Sequence, residues 1–146
     1  MSELLLDDDY TKKVIEFVKS ATNEVRICAY AWRWYEGEPE IGIHRLNVEL
    51  YRARERGVDV KILADRTATP DNLRALGFNV REIEPTRMLH TKAICIDHST
   101  LVLGSHNMTK RAMTDNYEMS IATQEFELVD QFINYFDRLW SARAGS

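Results

Sequence analysis

The stretch that decides the fold is HTKAICID, residues 90–97, which is followed after six residues by GSHN at 104–107 and later by Glu118. Residues 89–96 alternate and include several β-branched side chains, which predicts a strand. Since successive strand side chains point to opposite faces, His90 and Lys92 then share a face. An imidazole and an ammonium that point the same way suit a phosphodiester, because imidazole can attack phosphorus while the ammonium offsets charge on the phosphoryl oxygens. Neither task requires a metal or another cofactor.

The pattern HxK(x)4D(x)6GSxN with a downstream glutamate resembles the phospholipase D superfamily. It is formed here by His90, Lys92, Asp97, Gly104, Ser105, Asn107 and Glu118. Upstream, residues 25–30, 56–63 and 76–80 are similar to the segments that precede this motif in family members. The resemblance therefore extends over nearly the whole chain, and it implies a phospholipase D-like fold and a metal-independent phosphodiesterase.

The resemblance also implies a role for each catalytic candidate. His90 would form a covalent phosphohistidine, while Lys92 and Asn107 would hold the non-bridging oxygens as a charge and an amide donor. Ser105 would hydrogen-bond within the same network. Glu118 matches the downstream acid of the family, which orients the histidine through its other ring nitrogen.

Two further motif residues are expected to be structural. Asp97 falls at the end of the predicted strand, and aspartate is favoured in turns. Gly104 opens the GSHN loop. We therefore expect Asp97 to contribute to stability and to lie outside the phosphate pocket.

A single copy of the motif bears on quaternary structure. Transfer through a covalent histidine needs one group to attack phosphorus and a second to protonate the leaving oxygen, and one imidazole cannot do both from one side. Family members with two motifs solve this within one chain. A chain with one motif resembles the branch in which two identical subunits combine their motifs, so we expect a homodimer with one composite active site.

Composition favours one soluble globular domain spanning residues 1–146, with 45% hydrophobic and 29% charged residues. The net charge of -4 argues against binding nucleic acid by bulk electrostatics, although residues 81–111 carry a local excess of basic side chains. No apolar run reaches membrane-spanning length and Asp7 begins an acidic run, which predicts a cytoplasmic protein without integral membrane association. Cys28 and Cys95 are expected to be buried free thiols.

Hydrophobic periodicity predicts an α/β fold with a central mixed β-sheet flanked by helices. Helices are expected at residues 10–20, from Ile43 to Gly57, at 71–76 and at the C-terminus, where the last helix would bury Phe126 and Trp140 among others. The predicted strands cover residues 24–32, 58–63, 78–83, 89–96, 100–103 and 117–122.

Several residues near the motif have two interpretations. Trp32, Arg33 and Trp34 follow the first predicted strand and could stack a base or pair with a phosphate, or they could simply pack. His106 either lines the pocket or faces solvent from its loop. Lys110 and Arg111 either contact flanking phosphates or are merely solvated. The segment Glu36–Ile41 reads as an insertion, which either covers the cleft or has no role.

Three functions fit the sequence. Nucleic acid is the expected substrate, and the chain would then be a nuclease similar to the single-motif endonucleases of the superfamily. Phospholipid is the alternative, with a hydrolase or transphosphatidylase activity, but no exposed basic amphipathic helix is evident. A non-catalytic binding or dimerisation domain is disfavoured because every catalytic motif residue is present.

Overall fold

The computed structural model describes residues 1–33, 42–84 and 86–142. The elements within these ranges are β1 (Ser2–Leu6), α1 (Asp9–Ser20), β2 (Glu24–Ala29), α2 (Gly42–Glu55), β3 (Asp59–Ala64), α3 (Pro70–Ala75), β4 (Asn79–Glu82), β5 (Ala93–Ile96), β6 (Thr100–Gly104), β7 (Met119–Thr123) and α4 (Phe126–Ala142). A short 3-10 turn at Arg66–Ala68 and a π-helical turn at Arg111–Asp115 complete them.

In the described ranges the strands form one seven-stranded sheet in the order β1-β7-β6-β5-β2-β3-β4. β2, β3 and β4 are parallel, whereas β5, β6, β7 and β1 continue the sheet in antiparallel fashion. The parallel part follows from the predicted β-α-β step through α2, where Gly57 adopts a positive φ of 95° just after the helix. The predicted mixed sheet with flanking helices is confirmed.

Two apolar layers pack on the two faces of the sheet. On one face, α1 and α2 cover side chains such as Val25, Ile62 and Ile94. On the other face, α4 covers Cys28, Leu63 and Cys95 through Phe132 and Phe136 among others. Both cysteines are free and buried, as expected. The alternation of strand side chains thus divides the core between two helical layers.

The structure corrects three sequence predictions. Strand β1 was not predicted, because the run Leu4–Leu6 lacks the alternation of a half-buried strand; it pairs at the sheet edge with β7. Strand β5 begins at Ala93 and not at residue 89, so His90 and Lys92 lie in the segment that leads into the strand. Phe126, predicted to be buried by the last helix, is 73% exposed because it occupies the first position of α4.

Helix α4 is amphipathic, with Val129, Ile133 and Trp140 among its buried residues. No helix in the described ranges is both long and apolar enough to cross a membrane.

Candidate active site

One edge of the sheet gathers the motif residues. The antiparallel pairing of β5, β6 and β7 places the start of β5, the end of β6 and the start of β7 side by side. The carboxyl ends of β2 and β3 reach the same edge, because β2 pairs antiparallel with β5 and parallel with β3. His90 and Lys92 precede β5, Ser105 follows β6, and Glu118 precedes β7. The fold therefore brings together residues that are up to 28 positions apart in the printed sequence.

His90 and Lys92 are in direct contact. The Lys92 Nζ atom lies 3.0 Å from His90 Nδ1 and 3.3 Å from Nε2, and it also donates to the His90 carbonyl oxygen at 3.0 Å. A lysine ammonium can only donate hydrogen bonds, so this contact places a cation directly beside the imidazole. An imidazole nitrogen that carries a free lone pair is the form that can attack phosphorus.

Tyr30 supports this pair from the end of β2, and the sequence analysis did not single it out. Its ring lies 4.7 Å from the His90 ring, centroid to centroid, at an angle of 53°. Lys92 Nζ lies 5.4 Å from the same tyrosine centroid, within cation–π range. Its sequence position could have identified Tyr30 as a site residue, because it directly follows β2 at the sheet edge where the motif lies.

The charge of Lys92 is tuned by its surroundings. Partial burial lowers the pKa of Lys92 below its ordinary value, while the Glu118 carboxylate opposes this shift. A partly desolvated ammonium interacts more strongly with an anion than a fully hydrated one. Lys92 is therefore suited to a phosphoryl group that enters beside His90.

Glu118 occupies a different position from the one expected. Its Oε1 accepts a hydrogen bond from Ser105 Oγ at 2.5 Å, and its Oε2 accepts from Asn116 Nδ2 at 2.9 Å. Within the described residues it makes no hydrogen bond to His90, whose ring nitrogens contact Lys92 instead. In this chain Glu118 thus anchors the serine of the GSHN loop and acts on Lys92 through its charge.

Ser105 joins the two strands that carry the site. In addition to donating to Glu118, its hydroxyl oxygen accepts from the Met119 backbone N–H at 3.0 Å. Its own backbone N–H donates to the Met119 carbonyl at 3.0 Å. The serine therefore fixes the end of β6 against the start of β7.

Asn107 and Gly104 complete the loop. The Asn107 Oδ1 atom is buried, and within the described chain it has no hydrogen-bond partner. Gly104 has no room for a side chain, since a Cβ would overlap the Met119 carbonyl and the backbone and hydroxyl of Ser120. The glycine of the motif thus permits the close approach of β6 and β7.

His106 fits neither interpretation drawn from the sequence. It is only 3% exposed, and its ring stacks on Tyr10 with centroids 4.1 Å apart. Its Nε2–H donates to the Asp7 carbonyl at 2.8 Å, and its Nδ1 pairs with Ser120 Oγ at 2.7 Å. Burial lowers the pKa of His106, against the opposing effects of the Asp7 carbonyl and the Glu118 and Asp7 charges, which favours the neutral ring. This histidine is a buried link between strands and neither lines the pocket nor faces solvent.

Asp97 lies at the far end of β5. Its carboxylate accepts hydrogen bonds from the backbone N–H groups of Thr22, Asn23 and Glu24 at 2.8–3.0 Å. Partial burial would raise the pKa of Asp97, but these hydrogen bonds outweigh burial and lower it. Asp97 and His98 have φ values of 54° and 55°, a hairpin turn that tolerates aspartate. The arrangement agrees with a structural role.

Asp65, which the sequence analysis missed, positions the segment before His90. Its Oδ1 accepts from the Leu89 backbone N–H at 3.0 Å, and its Oδ2 accepts from Thr67 N–H at 3.0 Å. Burial would raise the pKa of Asp65, yet the hydrogen bonds from Thr67 and Leu89 lower it overall. The position of this carboxylate directly after β3, at the edge that holds the motif, could have identified Asp65 from the sequence.

The flanking candidates divide into packing and surface residues. Trp32 is 1% exposed and donates to Asn47 Oδ1 at 2.8 Å, so it packs in the core and is not free to stack a base. Arg33 is exposed, with its guanidinium bound to the Trp32 and Thr67 carbonyls. Lys110 is half-buried and Arg111 is exposed, both beyond the GSHN loop. Trp34 and the segment Glu36–Ile41 lie outside the described residues.

A cleft of about 590 Å³ opens beside His90, between α4 and a wall formed by Ile83, Glu84 and residues 87–91. Its apolar lining includes Met88, Leu89 and Leu139, while Arg87 and Arg138 add positive charge and Glu84 adds negative charge. Substituents of a phosphodiester bound at His90 can therefore extend into a cleft that is partly apolar and partly charged.

Similarity to known proteins agrees with this geometry. The family model described as "Cardiolipin synthase, PLD-like domain" matches residues 14–140. A mitochondrial cardiolipin hydrolase from Danio rerio is 31% identical over 141 residues, which are 89% of this chain and 56% of that protein. A phospholipase D from Rickettsia prowazekii is 25% identical over 145 residues, which are 92% of this chain and 64% of that protein. The chain thus spans between half and two thirds of the length of these relatives.

Solved structures share the fold over their whole length. The phospholipase D family member Nuc from Salmonella typhimurium superposes with a TM-score of 0.79 and 23% identity, covering 99% of this chain and 97% of that one. NucT from Helicobacter pylori gives a TM-score of 0.80 and 18% identity, covering 100% and 99%. With the family model matching most of its length, the chain belongs to the phospholipase D superfamily.

Proposed function

We propose that this protein is a metal-independent phosphodiesterase that acts through a phosphohistidine on His90, in a site shared by two subunits, with nucleic acid as its substrate. The observation that carries the proposal is the contact between Lys92 Nζ and the His90 ring at 3.0 Å, on the sheet edge that also holds the Ser105–Glu118 pair. This contact supports the proposal because one phosphoryl group could reach both the imidazole and the ammonium.

The reaction has two steps. In the first, a ring nitrogen of His90 attacks phosphorus, the bond to the leaving oxygen breaks, and that oxygen takes a proton from the protonated imidazole of the partner's His90. In the second, the now neutral imidazole of the partner's His90 removes a proton from water. This water attacks phosphorus and the P–N bond breaks, which returns the electron pair to His90. Lys92 and Asn107 offset the charge on the non-bridging oxygens in both steps.

The need for a second imidazole supports the shared site. In the described chain, the histidines other than His90 are His44 on α2, His98 at the distal hairpin and the buried His106. His98 is at the opposite end of β5, and both ring nitrogens of His106 are engaged by the fold. This distribution of histidines supports a proton donor on the far side of phosphorus that comes from another copy of the chain.

Exposed arginines favour nucleic acid as the substrate. Arg33 follows β2, Arg66 follows β3, Arg87 precedes His90 and Arg111 follows the GSHN loop, so four exposed arginines lie on connections near the motif. Guanidinium groups bind phosphates well, and a polynucleotide presents several in succession. A chain of phosphates could use these loops on both sides of the cleaved bond.

Phospholipid remains the second candidate because of the cleft beside His90. Its apolar residues Ile83, Met88 and Leu139 would suit the apolar part of a lipid, with Arg87 and Arg138 near its charged part. The names of the cardiolipin hydrolase and phospholipase D relatives point the same way.

Hydrolysis assays in excess EDTA test the proposal. The protein is incubated with single-stranded DNA, double-stranded DNA, RNA and phosphatidylcholine micelles, alongside His90→Ala. We expect cleavage of a nucleic acid that persists in EDTA and is lost in His90→Ala. Cleavage of the lipid alone would favour the second candidate. Activity that disappears in EDTA and returns with magnesium would contradict the mechanism.

A further inference from the structure

The ring of Tyr30 lies against both members of the His90–Lys92 pair. Its centroid is 4.7 Å from the centroid of the His90 ring, at an interplanar angle of 53°, and 5.4 Å from Lys92 Nζ. Both contacts involve the ring of Tyr30, and within the described residues its hydroxyl forms no hydrogen bond. An aromatic ring that meets the imidazole and the ammonium together can fix the position of one relative to the other.

The sheet register brings Tyr30 to this place. Strands β2 and β5 are antiparallel with Cys28 opposite Ala93, so the chain beyond Cys28 runs alongside the segment that precedes β5. Ala29 is the last residue of β2, and Lys92 is the last residue before β5. The end of one strand therefore holds Tyr30 against the residues that lead into its neighbour, and a side chain placed by a sheet is held more precisely than one on a loop.

Tyr30 is not simply a core residue. It is half-buried, whereas the nearby Ala29 and Trp32 are 2% and 1% exposed. It also lines a small cleft of about 370 Å³ together with Asp65 and Met88 among others. Tyr30 thus lies between the core and the surface, so removal of its ring should disturb the site more than the packing of the sheet.

The first step of the proposed reaction gives this ring a chemical role. When a ring nitrogen of His90 attacks phosphorus, the N–P bond forms and the P–O bond to the leaving group breaks. The imidazole then acquires a positive charge, because its other nitrogen keeps its proton. The Lys92 ammonium, which lies 3.0 Å from Nδ1 of that ring, now faces a second cation. Aromatic rings attract cations, so Tyr30, beside both groups, can offset their mutual repulsion.

The orientation of His90 also needs a source. Within the described residues Glu118 makes no hydrogen bond to the His90 ring, because its two oxygens accept from Ser105 and Asn116. The contacts with Lys92 and Tyr30 are therefore the ones that can hold the imidazole. Lys92 has a long and flexible side chain, whereas the tyrosine ring is rigid and is attached to the end of a strand.

We infer that Tyr30 is the positioning residue of this site: its ring holds the His90 imidazole beside Lys92 and stabilises the positive charge that attack on phosphorus places on that imidazole. The inference rests on the proposed function, since it concerns the step in which His90 is phosphorylated. It goes beyond the HxK and GSxN motif, which does not include Tyr30.

Replacements of Tyr30 separate the role of its ring from that of its hydroxyl. Tyr30→Phe keeps the ring, and Tyr30→Leu removes it but keeps an apolar side chain. Tyr30→Met has a more adaptable side chain, so it covers the case in which Tyr30→Leu fails to fold. Tyr51→Leu is the matched control, because it removes a tyrosine ring on α2 whose centroid also lies close to a cation, 4.9 Å from the guanidinium carbon of Arg54.

Hydrolysis of bis(p-nitrophenyl) phosphate gives kcat and KM for each variant, and circular dichroism confirms folding. We expect kcat to fall roughly 3- to 30-fold in Tyr30→Leu and Tyr30→Met, the range that loss of a partly desolvated cation–π contact would produce. KM should change little, because the ring acts on His90 and not on the substrate. Tyr30→Phe and Tyr51→Leu should retain the kcat of the wild type.

NMR tests the contact between the rings without depending on catalysis. In protein isotopically labelled at histidine Cε1, the ring current of Tyr30 displaces the His90 resonance, which is assigned by its disappearance in His90→Ala. We expect Tyr30→Phe to keep this chemical shift, and Tyr30→Leu to move it toward the value of an isolated imidazole. Tyr51→Leu should leave it unchanged.

A folded Tyr30→Leu with the kcat of the wild type would overturn the inference. A Tyr30→Phe as slow as Tyr30→Leu would also overturn it, since the hydroxyl would then be the active group. A loss confined to KM would make the ring a substrate contact and not a positioning residue. A wild type that hydrolyses no phosphodiester, while its His90 resonance responds to Tyr30→Leu and not to Tyr30→Phe, would contradict the proposed function and support the contact between the rings.

Discussion

The Nε2 atom of His106 lies 2.8 Å from the backbone carbonyl oxygen of Asp7, a residue 99 positions earlier in the chain. Asp7 also receives the Glu118 backbone N–H on its carboxylate at 2.9 Å and donates its own N–H to the Glu118 carbonyl at 2.9 Å. The turn after β1 therefore holds both the GSHN loop and the segment that carries Glu118. The sheet edge that holds the motif residues therefore depends on Asp7, which the motif does not include.

Replacement of His106 should destabilise the protein. His106→Ala leaves the Asp7 carbonyl and the Ser120 hydroxyl without their partner and opens space beside Tyr10, so we expect a loss of roughly 1–3 kcal/mol in the free energy of unfolding. Urea denaturation measures it. His98→Ala is the matched control, because the exposed His98 has only surface ion-pair partners, worth about 0–1 kcal/mol. Equal losses in both variants would contradict the structural role of His106.

The lowered pKa of His106 predicts a dependence of stability on pH. The ordinary pKa of histidine is 6.5, and well above this pH the His106 ring is neutral in both the folded and the unfolded chain. Below it, the unfolded chain binds a proton before the folded one does, so acidification favours unfolding. The wild type should therefore lose stability between pH 7 and pH 5 more steeply than His106→Gln. Parallel urea-denaturation curves for the two proteins across this range would refute the prediction.

Asp97→Asn should separate stability from chemistry. The substitution replaces a charged acceptor of three backbone N–H groups, so the free energy of unfolding should fall by about 1–3 kcal/mol at neutral pH. The difference in unfolding free energy between Asp97→Asn and wild type should shrink as the pH falls below 3.8, the ordinary pKa of aspartate. The wild-type carboxylate then also becomes protonated and loses its charge. Turnover of the folded variant, measured well below its melting temperature, should be near that of wild type. A folded but inactive Asp97→Asn would move this residue into the catalytic centre.

Lys92→Met keeps an unbranched side chain of similar length but removes its charge. Because Lys92 lies beside His90 and is partly desolvated, we expect kcat to fall roughly 10²- to 10³-fold, the usual cost of losing one charge-stabilising group. Unfolding by urea should change little. Lys12→Met, at an exposed position on α1, provides the control and should retain full activity. Near-normal kcat in Lys92→Met would remove this ammonium from the mechanism.

The sequence was most informative where the pattern is local. Periodicity within each segment predicted strand β3 and the amphipathic face of α4. The HxK and GSxN segments meet because consecutive antiparallel strands return to the same edge of the sheet. The long-range hydrogen bonds could not be predicted in this way. His106 reads as a loop residue until Asp7 and Tyr10 are known to lie against it.

Other errors have equally physical causes. Strand β1 is an edge strand whose Leu4–Leu6 run is apolar on both faces, so it lacks the two-residue period by which strands are identified. The apolar and polar alternation at residues 89–92 predicted a longer β5, whereas the Leu89 backbone N–H donates to the Asp65 carboxylate and strand pairing begins at Ala93. Which ring nitrogen of His90 is engaged depends on Lys92 and could not be inferred from spacing.

The central claim, that two copies of His90 act on one phosphodiester, is tested most directly by a mixed dimer. Wild-type and His90→Ala chains carrying different affinity tags are co-expressed, and tandem purification isolates the dimer with one imidazole. Turnover of the preferred phosphodiester is then compared with that of the tagged wild-type dimer. A shared site predicts a loss of roughly 10²- to 10⁴-fold, because one of the two proton-transfer and attack roles is missing. Retention of about half the wild-type kcat, as expected when each subunit carries an independent site, would contradict the shared site.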